Sequence, residues 1–307
     1  MLVKDNLLLL RLGGKRIGFC KIVFFLLLIV VISVASFISP CDASVTDIWC
    51  TSPWLSVLAN FIGGIHISVH SMKDWDDDGE NILVIPPKEI LSSSFIVALD
   101  IPEAEECGIK KQEYPRLTTL YSKIPVDRDK VRSLFYDPST LPFLALRVMN
   151  VLSNYDPTNY SYYQRRLAEF QTRLDSTVLV GKQLLNGTHI LLINTDVSQI
   201  FVASGCDTQS VTFGLESLTG KEGGKNDKKL KEAYRKSLDD FADYLKEMRN
   251  NGIIPVIDVW TPRYLREELK PLDIAVMLPK PSLNMEFILF LNDHYLALWN
   301  EIRLLKH

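Results

Sequence analysis

The chain has 307 residues, with 34 lysines and arginines against 37 aspartates and glutamates, for a formal net charge of −3. At 47% hydrophobic and 23% charged residues it suits a folded protein of two lobes with a real core. That balance gives no general pull toward nucleic acid, and no repeat or low-complexity tract is present.

Arg11, Lys15, Arg16 and Lys21 precede an apolar run from Ile22 to Ile38 that Ser33 and Ser36 alone interrupt. A basic flank followed by an apolar core is the pattern of a secretory signal or a signal anchor. Its 17 residues lie at the lower edge of the ~17–25 needed to cross hydrocarbon. Cys41-Asp42-Ala43 offers a small-x-small cleavage site before Ser44. Cys41 also fits a lipoprotein reading, although Pro40 is a poor neighbour for that processing. Residues 1–44 are therefore expected to be a signal peptide or a membrane anchor.

Asp74, Asp76, Asp77, Asp78 and Glu80 then form a dense acidic loop near His70. Asp74 to Gly79 match the first six positions of an EF-hand-type calcium loop, including its glycine. Position twelve is Ile85 where a bidentate glutamate belongs, and the flanking helices are missing. A solvated loop, a divalent-cation contact and a calcium module remain open here, in that order.

Asp137-Pro138 and Asp156-Pro157 each read as an N-cap acid followed by proline at the first helical position. After the second, Tyr163, Leu167, Phe170, Leu174 and Val178 recur at helical spacing and predict one apolar face. A helix from Pro157 to Leu184 is about 42 Å long at 1.5 Å per residue, more than one compact lobe needs. Asn186-Gly187 turns into a strand His189–Ile193, followed by Thr195-Asp196 and a short helix ending at Gly205. Gly223-Gly224 precede a charged helix over 226–250 with Leu230, Tyr234, Leu238, Phe241, Leu245 and Met248 on its buried stripe. Asn251-Gly252 ends it. A strand Ile253–Ile257, a helix Thr261–Lys270 and a short strand Asp273–Met277 follow. Ile288, Leu291, Tyr295, Leu298, Ile302 and Leu305 stripe a last helix. Alternating strand and helix imply mostly parallel sheets covered on both faces.

The run YDPSTLPFLALRVMNVLSNYDPTNYSYYQRRLAEFQTRLDS and the later HILLINTDVSQIFVASGCD resemble the metal-specific, zinc/manganese-type substrate-binding proteins of ABC transporters. DIWCTSPWLSVLANFIGG is similar to that family's first strand and helix, where a β run leads into a helix ending in two glycines. The similarity runs from about Asp47 to the C-terminus and rests on order and spacing of elements. It implies an α/β fold of two lobes with mostly parallel sheets flanked by helices. One long backbone helix joins them, behind the N-terminal hydrophobic segment. The expected division is 45–155 for the first lobe, 156–185 for the linking helix and 186–307 for the second lobe. In such an exported protein Cys50 and Cys107, both in the first lobe, could pair; buried free thiols are an equal alternative.

The resemblance also implies four metal-ligand positions, which fall here on Glu80, Ser133, Thr195 and Leu278. Asp78 keeps the acid that precedes the first ligand, and Asp196 adjoins the third. Of the four, Glu80 alone is a competent donor, so the usual site is absent as written. Either metal binding is lost, or the site is rebuilt from Glu80, Asp78, Asp76, His70, Asp196 and Asp258. Ligation rich in oxygen favours manganese, calcium or ferrous iron over zinc. No phosphate loop, nucleophile elbow or H-E-x-x-H run points to an enzyme. The implied function is an extracytoplasmic solute-binding protein in the periplasm or on the outer face of the cytoplasmic membrane. It would deliver a divalent ion (manganese, iron or zinc) to a permease driven by its ATPase. The alternative is a metal-incompetent relative acting as a protein-interaction scaffold at the membrane surface.

Overall fold

Thr46–Cys50 is the first strand (β1), and Ser52-Pro53 ends it and starts the first helix, α1 (Pro53–Gly63). Ser52 Oγ accepts the Leu55 N–H at 3.5 Å, and Pro53 brings no orphan donor to the helix end. The chain continues through β2 (Ile67–Ser71), the hairpin β3 (Lys73–Trp75) and β4 (Asn81–Leu83), then β5 (Phe95–Ala98), α2 (Ile101–Glu106) and β6 (Leu117–Thr119). Two helices follow, α3 (Val131–Tyr136) and α4 (Leu141–Tyr155), and then α5 (Tyr160–Leu185). The second half is β7 (His189–Ile193), α6 (Ser198–Ala203), β8 (Asp207–Val211), α7 (Asp227–Asn250), β9 (Ile253–Ile257), α8 (Arg263–Leu269), β10 (Val276–Met277) and α9 (Phe287–Leu305).

This computed structural model describes residues 46–123, 126–213 and 227–305. The apolar run Ile22–Ile38, Cys41–Ala43 and Gly223-Gly224 lie outside them, as do the side chains of Leu230, Tyr234 and Leu305. Among the described residues no helix is long and apolar enough to cross a membrane.

Among the described residues two four-stranded sheets are present, ordered β2-β1-β5-β6 and β10-β9-β7-β8, and every pairing within them is parallel. Both are the α/β arrangement expected from alternation. The long helix α5 is unbroken over 26 residues, about 39 Å. A 3₁₀ turn over Pro157–Asn159 precedes it. Its buried face is Tyr163, Leu167, Phe170 and Leu174, then Thr177, Gly181 and Leu185. Val178 is half-buried, because steps of four drift around a 3.6-residue turn and the stripe moves on to Thr177. Gly181 is required: a Cβ there would sit 2.6 Å from the Tyr295 ring of α9.

Pro157 opens the long helical run as expected, through its 3₁₀ turn, but Pro138 does not start a helix. Asp137 closes α3 instead, and its carboxylate accepts the Ser139 N–H at 2.8 Å and the Ser139 hydroxyl at 2.9 Å. With that acid committed to a local turn, α4 begins at Leu141, with Pro142 in its first turn. Asp156 likewise holds the Tyr163 hydroxyl at 2.6 Å and the Asn159 amide at 2.7 Å rather than capping backbone.

The described residues form one compact unit, and its largest apolar cluster joins both sheets. Ile48, Leu55, Leu58 and Val97 of the first half and Ile190, Leu192 and Val256 of the second belong to it, together with Phe170, Phe287 and Leu291. Each such side chain contributes about 1.5–3 kcal/mol on burial, so the halves are braced by shared core behind any cleft. Cys50 and Cys107 are buried free thiols. Cys107 Sγ faces the Thr51 carbonyl at 3.5 Å, and burial pushes its pKa up to about 11.

Candidate functional site

Ligands of parallel sheets gather beyond the strands' carboxyl ends, which here are residues 70–80, 99–103, 194–196 and 258–261. Asp258, just past β9, is 1% exposed. Its Oδ1 accepts the Trp260 and Thr261 N–H groups, both at 2.9 Å, and its other oxygen accepts the Thr195 hydroxyl. Burial raises the Asp258 pKa; the Thr195 hydrogen bond and the Arg132 charge oppose this. Asp196 lies beside it, after β7. Arg132 Nη1 donates to its Oδ1 at 3.1 Å and Ser133 Oγ to its Oδ2 at 3.3 Å. The Arg132 guanidinium carbon stands 4.2 Å from the centre of the Trp260 ring, a cation–π distance.

Trp260 in turn joins the halves. Its Nε1 donates to the Gly79 carbonyl at 2.8 Å, in the turn between β3 and β4. Gly79 has φ +78°, and a Cβ on it would lie 2.6 Å from that same nitrogen. Two ion pairs reinforce the strap: Arg266 with Asp78 at 2.5 Å and Lys280 with Asp77 at 3.2 Å.

Behind Trp260 the space is filled by rings. Trp54 packs against Trp75 at 4.9 Å, Tyr136 at 5.4 Å, Phe135 at 5.6 Å, Phe290 at 5.9 Å and Trp260 at 6.2 Å. Tyr136 Oη, His294 Nε2 and Trp75 Nε1 are buried there without a hydrogen-bond partner among the described residues. Each such group costs about 1–3 kcal/mol. Burial holds His294 neutral, with its pKa down to about 4, and pushes the Tyr136 hydroxyl far up.

The acidic loop is a β-hairpin turn, not a helix–loop–helix. Trp75 pairs with Asn81 across it, and Asp76 Oδ1 accepts the N–H groups of Asp78 and Glu80, each at 2.9 Å. Asp76 is thus used inside the turn, Asp78 is paired with Arg266, and Glu80 is exposed. His70 sits apart from Asp196 and Asp258. Because Trp49 is its register partner in β1, its ring stacks on the indole at 4.7 Å, with Asp47 at 3.4 Å. It lines a cavity of about 420 Å³ with Trp49, Ser56, Asn60 and Leu283. Leu278 is core, 2% exposed. The structure therefore assembles Ser133, Thr195, Asp196 and Asp258 in one place, beside a cavity of about 310 Å³ reached from Arg132, Asn194 and Thr212. It leaves His70 in another cavity.

The elements that sequence reasoning missed are Arg132 and Trp260. Arg132 directly precedes Ser133, one of the positions the resemblance marks for a ligand, so a charge beside a poor donor was a usable signal. Trp260 gave none.

Solved structures share this architecture. ZnuA is 15% identical, with a TM-score of 0.57 over 83% of this chain and 98% of that one. The laminin-binding protein Lmb of Streptococcus agalactiae, described as having adhesin and metal-transporting activity, is 12% identical, with a TM-score of 0.57 over 84% and 99%. The substrate-binding protein FpvC of Pseudomonas aeruginosa, solved in complex with Mn²⁺, is 12% identical, with a TM-score of 0.56 over 84% and 98%. No family model and no curated protein matches the sequence. The fold is thus that of the metal-type, two-lobed substrate-binding proteins, as the resemblance implied.

A structural fit to a divalent ion fails in this conformation. A first-row ion needs about four donors at ~2.0–2.2 Å. Among the described residues no three His, Cys, Asp or Glu side chains are grouped so as to hold one. Both oxygens of Asp196 and of Asp258 already accept hydrogen bonds from the chain.

Proposed function

We propose that the protein is an extracytoplasmic, substrate-binding-type component of a metal-class ABC uptake system whose interlobe cleft is held by its own side chains instead of a divalent ion. Residues 1–44 export or anchor it. Residues 45–155 and 186–307 act as lobes on the 156–185 helix, and the partners are a permease and its ATPase. It works as a protein-contact scaffold at the membrane surface and carries out no catalysis. One observation carries this reading: Arg132 lies between Asp196 and Trp260, next to Ser133 and Thr195, two of the four positions to which the resemblance assigns metal ligands. Gentle cross-linking of the full chain in its own membranes, followed by affinity capture, tests it. Recovery of a polytopic permease with its ATPase supports the scaffold role; capture of neither, with both present in the membrane, overturns it.

A second reading is favoured by the manganese-bound state of FpvC and by the crowding of Asp76, Asp78 and Glu80 in one turn. In it the chain delivers manganese, iron or zinc, after Glu80, Asp78, Asp76, His70, Asp196 and Asp258 rearrange. Titration with each ion separates the two. Stoichiometric binding that Glu80→Ala with Asp78→Ala abolishes selects the second reading; no uptake of any ion selects the first.

A further inference from the structure

We propose that Arg132 is the resident cation of the interlobe cleft and its selectivity element, keeping divalent ions out by lying against Asp196 and over the Trp260 ring. The inference rests on the first reading above and names the residue responsible for it.

The positive charge makes the block, and the guanidinium fixes where that charge sits. Its fork reaches Asp196 Oδ1 at 3.1 Å while its plane covers an indole at 4.2 Å, a combination that a compact ammonium does not match. The partner surfaces are themselves fixed. Trp260 is held by Asp258 through its backbone N–H at 2.9 Å and by Gly79 through its ring nitrogen at 2.8 Å. Asp196 is held on its second oxygen by Ser133 at 3.3 Å. Ser133, where the resemblance puts a ligand, thus orients the carboxylate that Arg132 neutralises. Arg132 itself is 27% exposed, so it closes the cleft from the solvent side. An ion entering beside Asp196 would meet a fixed positive charge at its first carboxylate, in a setting drier than water, where repulsion is screened poorly. Because a guanidinium stays protonated at any physiological pH, this block does not open on acidification.

The test is a set of thermal melts of the full chain, with and without millimolar manganese or zinc. Arg132→Ala removes the charge, Arg132→Lys keeps it, and Arg132→Gln keeps most of the packing over Trp260 should alanine cost the fold. Wild type and Arg132→Lys are expected to be unmoved by either ion. Arg132→Ala or Arg132→Gln should gain a rise in Tm of about 3 °C or more with saturating ion, and the gain should vanish once Asp196→Asn is added. If wild type is itself stabilised by the ion, both the first reading and the role of Arg132 fall. If wild type and every charge-removing variant stay unmoved, that reading stands and the assignment to Arg132 is overturned.

Discussion

Arg128 and Arg132 stand four residues apart and do opposite work. Arg128 pairs with Asp100, which is 1% exposed at the end of β5, and with Glu106 at 3.2 Å. Asp100 also accepts the N–H groups of Glu103 at 2.9 Å and Val126 at 2.6 Å. Burial disfavours its charge, but those donors and Arg128 together hold the carboxyl below the usual range. All of this lies in one half of the molecule. Arg132 instead crosses to Asp196, whose side chain is 38% exposed, and to Trp260. The first pair is a closed structural button; the second is a strut between halves, open to solvent on one side. Side-chain chemistry is the same in both, so the difference comes from burial and from which half supplies the partner.

The sharpest way to break the comparison is to remove the ring cluster on which Trp260, the ring under Arg132, packs. Trp54→Ala empties a position contacted by Trp75, Phe135, Tyr136 and Trp260. It should cost about 3–5 kcal/mol in chemical denaturation. Next comes the button: Asp100→Ala leaves two N–H groups without an acceptor and Arg128 with Glu106 alone, and should cost about 2–3 kcal/mol.

A third effect is a pH dependence. Burial lowers the His294 pKa to about 4, whereas an unfolded histidine takes its proton near ~6.5. Between these values the unfolded chain binds more protons. The neutral histidine's contribution is therefore fully present above about pH 6.5 and is lost as the pH falls toward 4. The unfolding free energy of wild type should fall by about 2 kcal/mol from this group between pH 7 and 4.5. His294→Leu should remove that slope, and an unchanged slope would contradict the burial assignment. Smallest is the strut: Asp196→Ala, at a part-exposed pair, should cost about 0.5–1 kcal/mol. Equal losses for Asp100→Ala and Asp196→Ala would erase the distinction.

Periodicity made much of this architecture legible. The faces of α5, α7 and α9, the strands at His189–Ile193 and Ile253–Ile257, and the parallel sheets all follow from apolar spacing that the core enforces. The acidic hairpin was harder, since its charges drew a cation-loop reading while the β3–β4 pairing depends on Trp75 being buried. His70 was correctly set at a strand end, yet its β1 register turned it to Trp49. That Ser133, Thr195 and Leu278 are poor donors could be read from residue types alone. The Arg132–Asp196–Trp260 contact could not, because it joins residues 64 apart and more and exists only once both sheets are packed.

The most direct test of the central claim is a crystal of the protein soaked in manganese or zinc and measured for anomalous scattering. The expected map shows the Arg132 guanidinium over Trp260 and no peak between Asp196 and Asp258. An anomalous peak coordinated there, with Arg132 swung out to solvent, would contradict it.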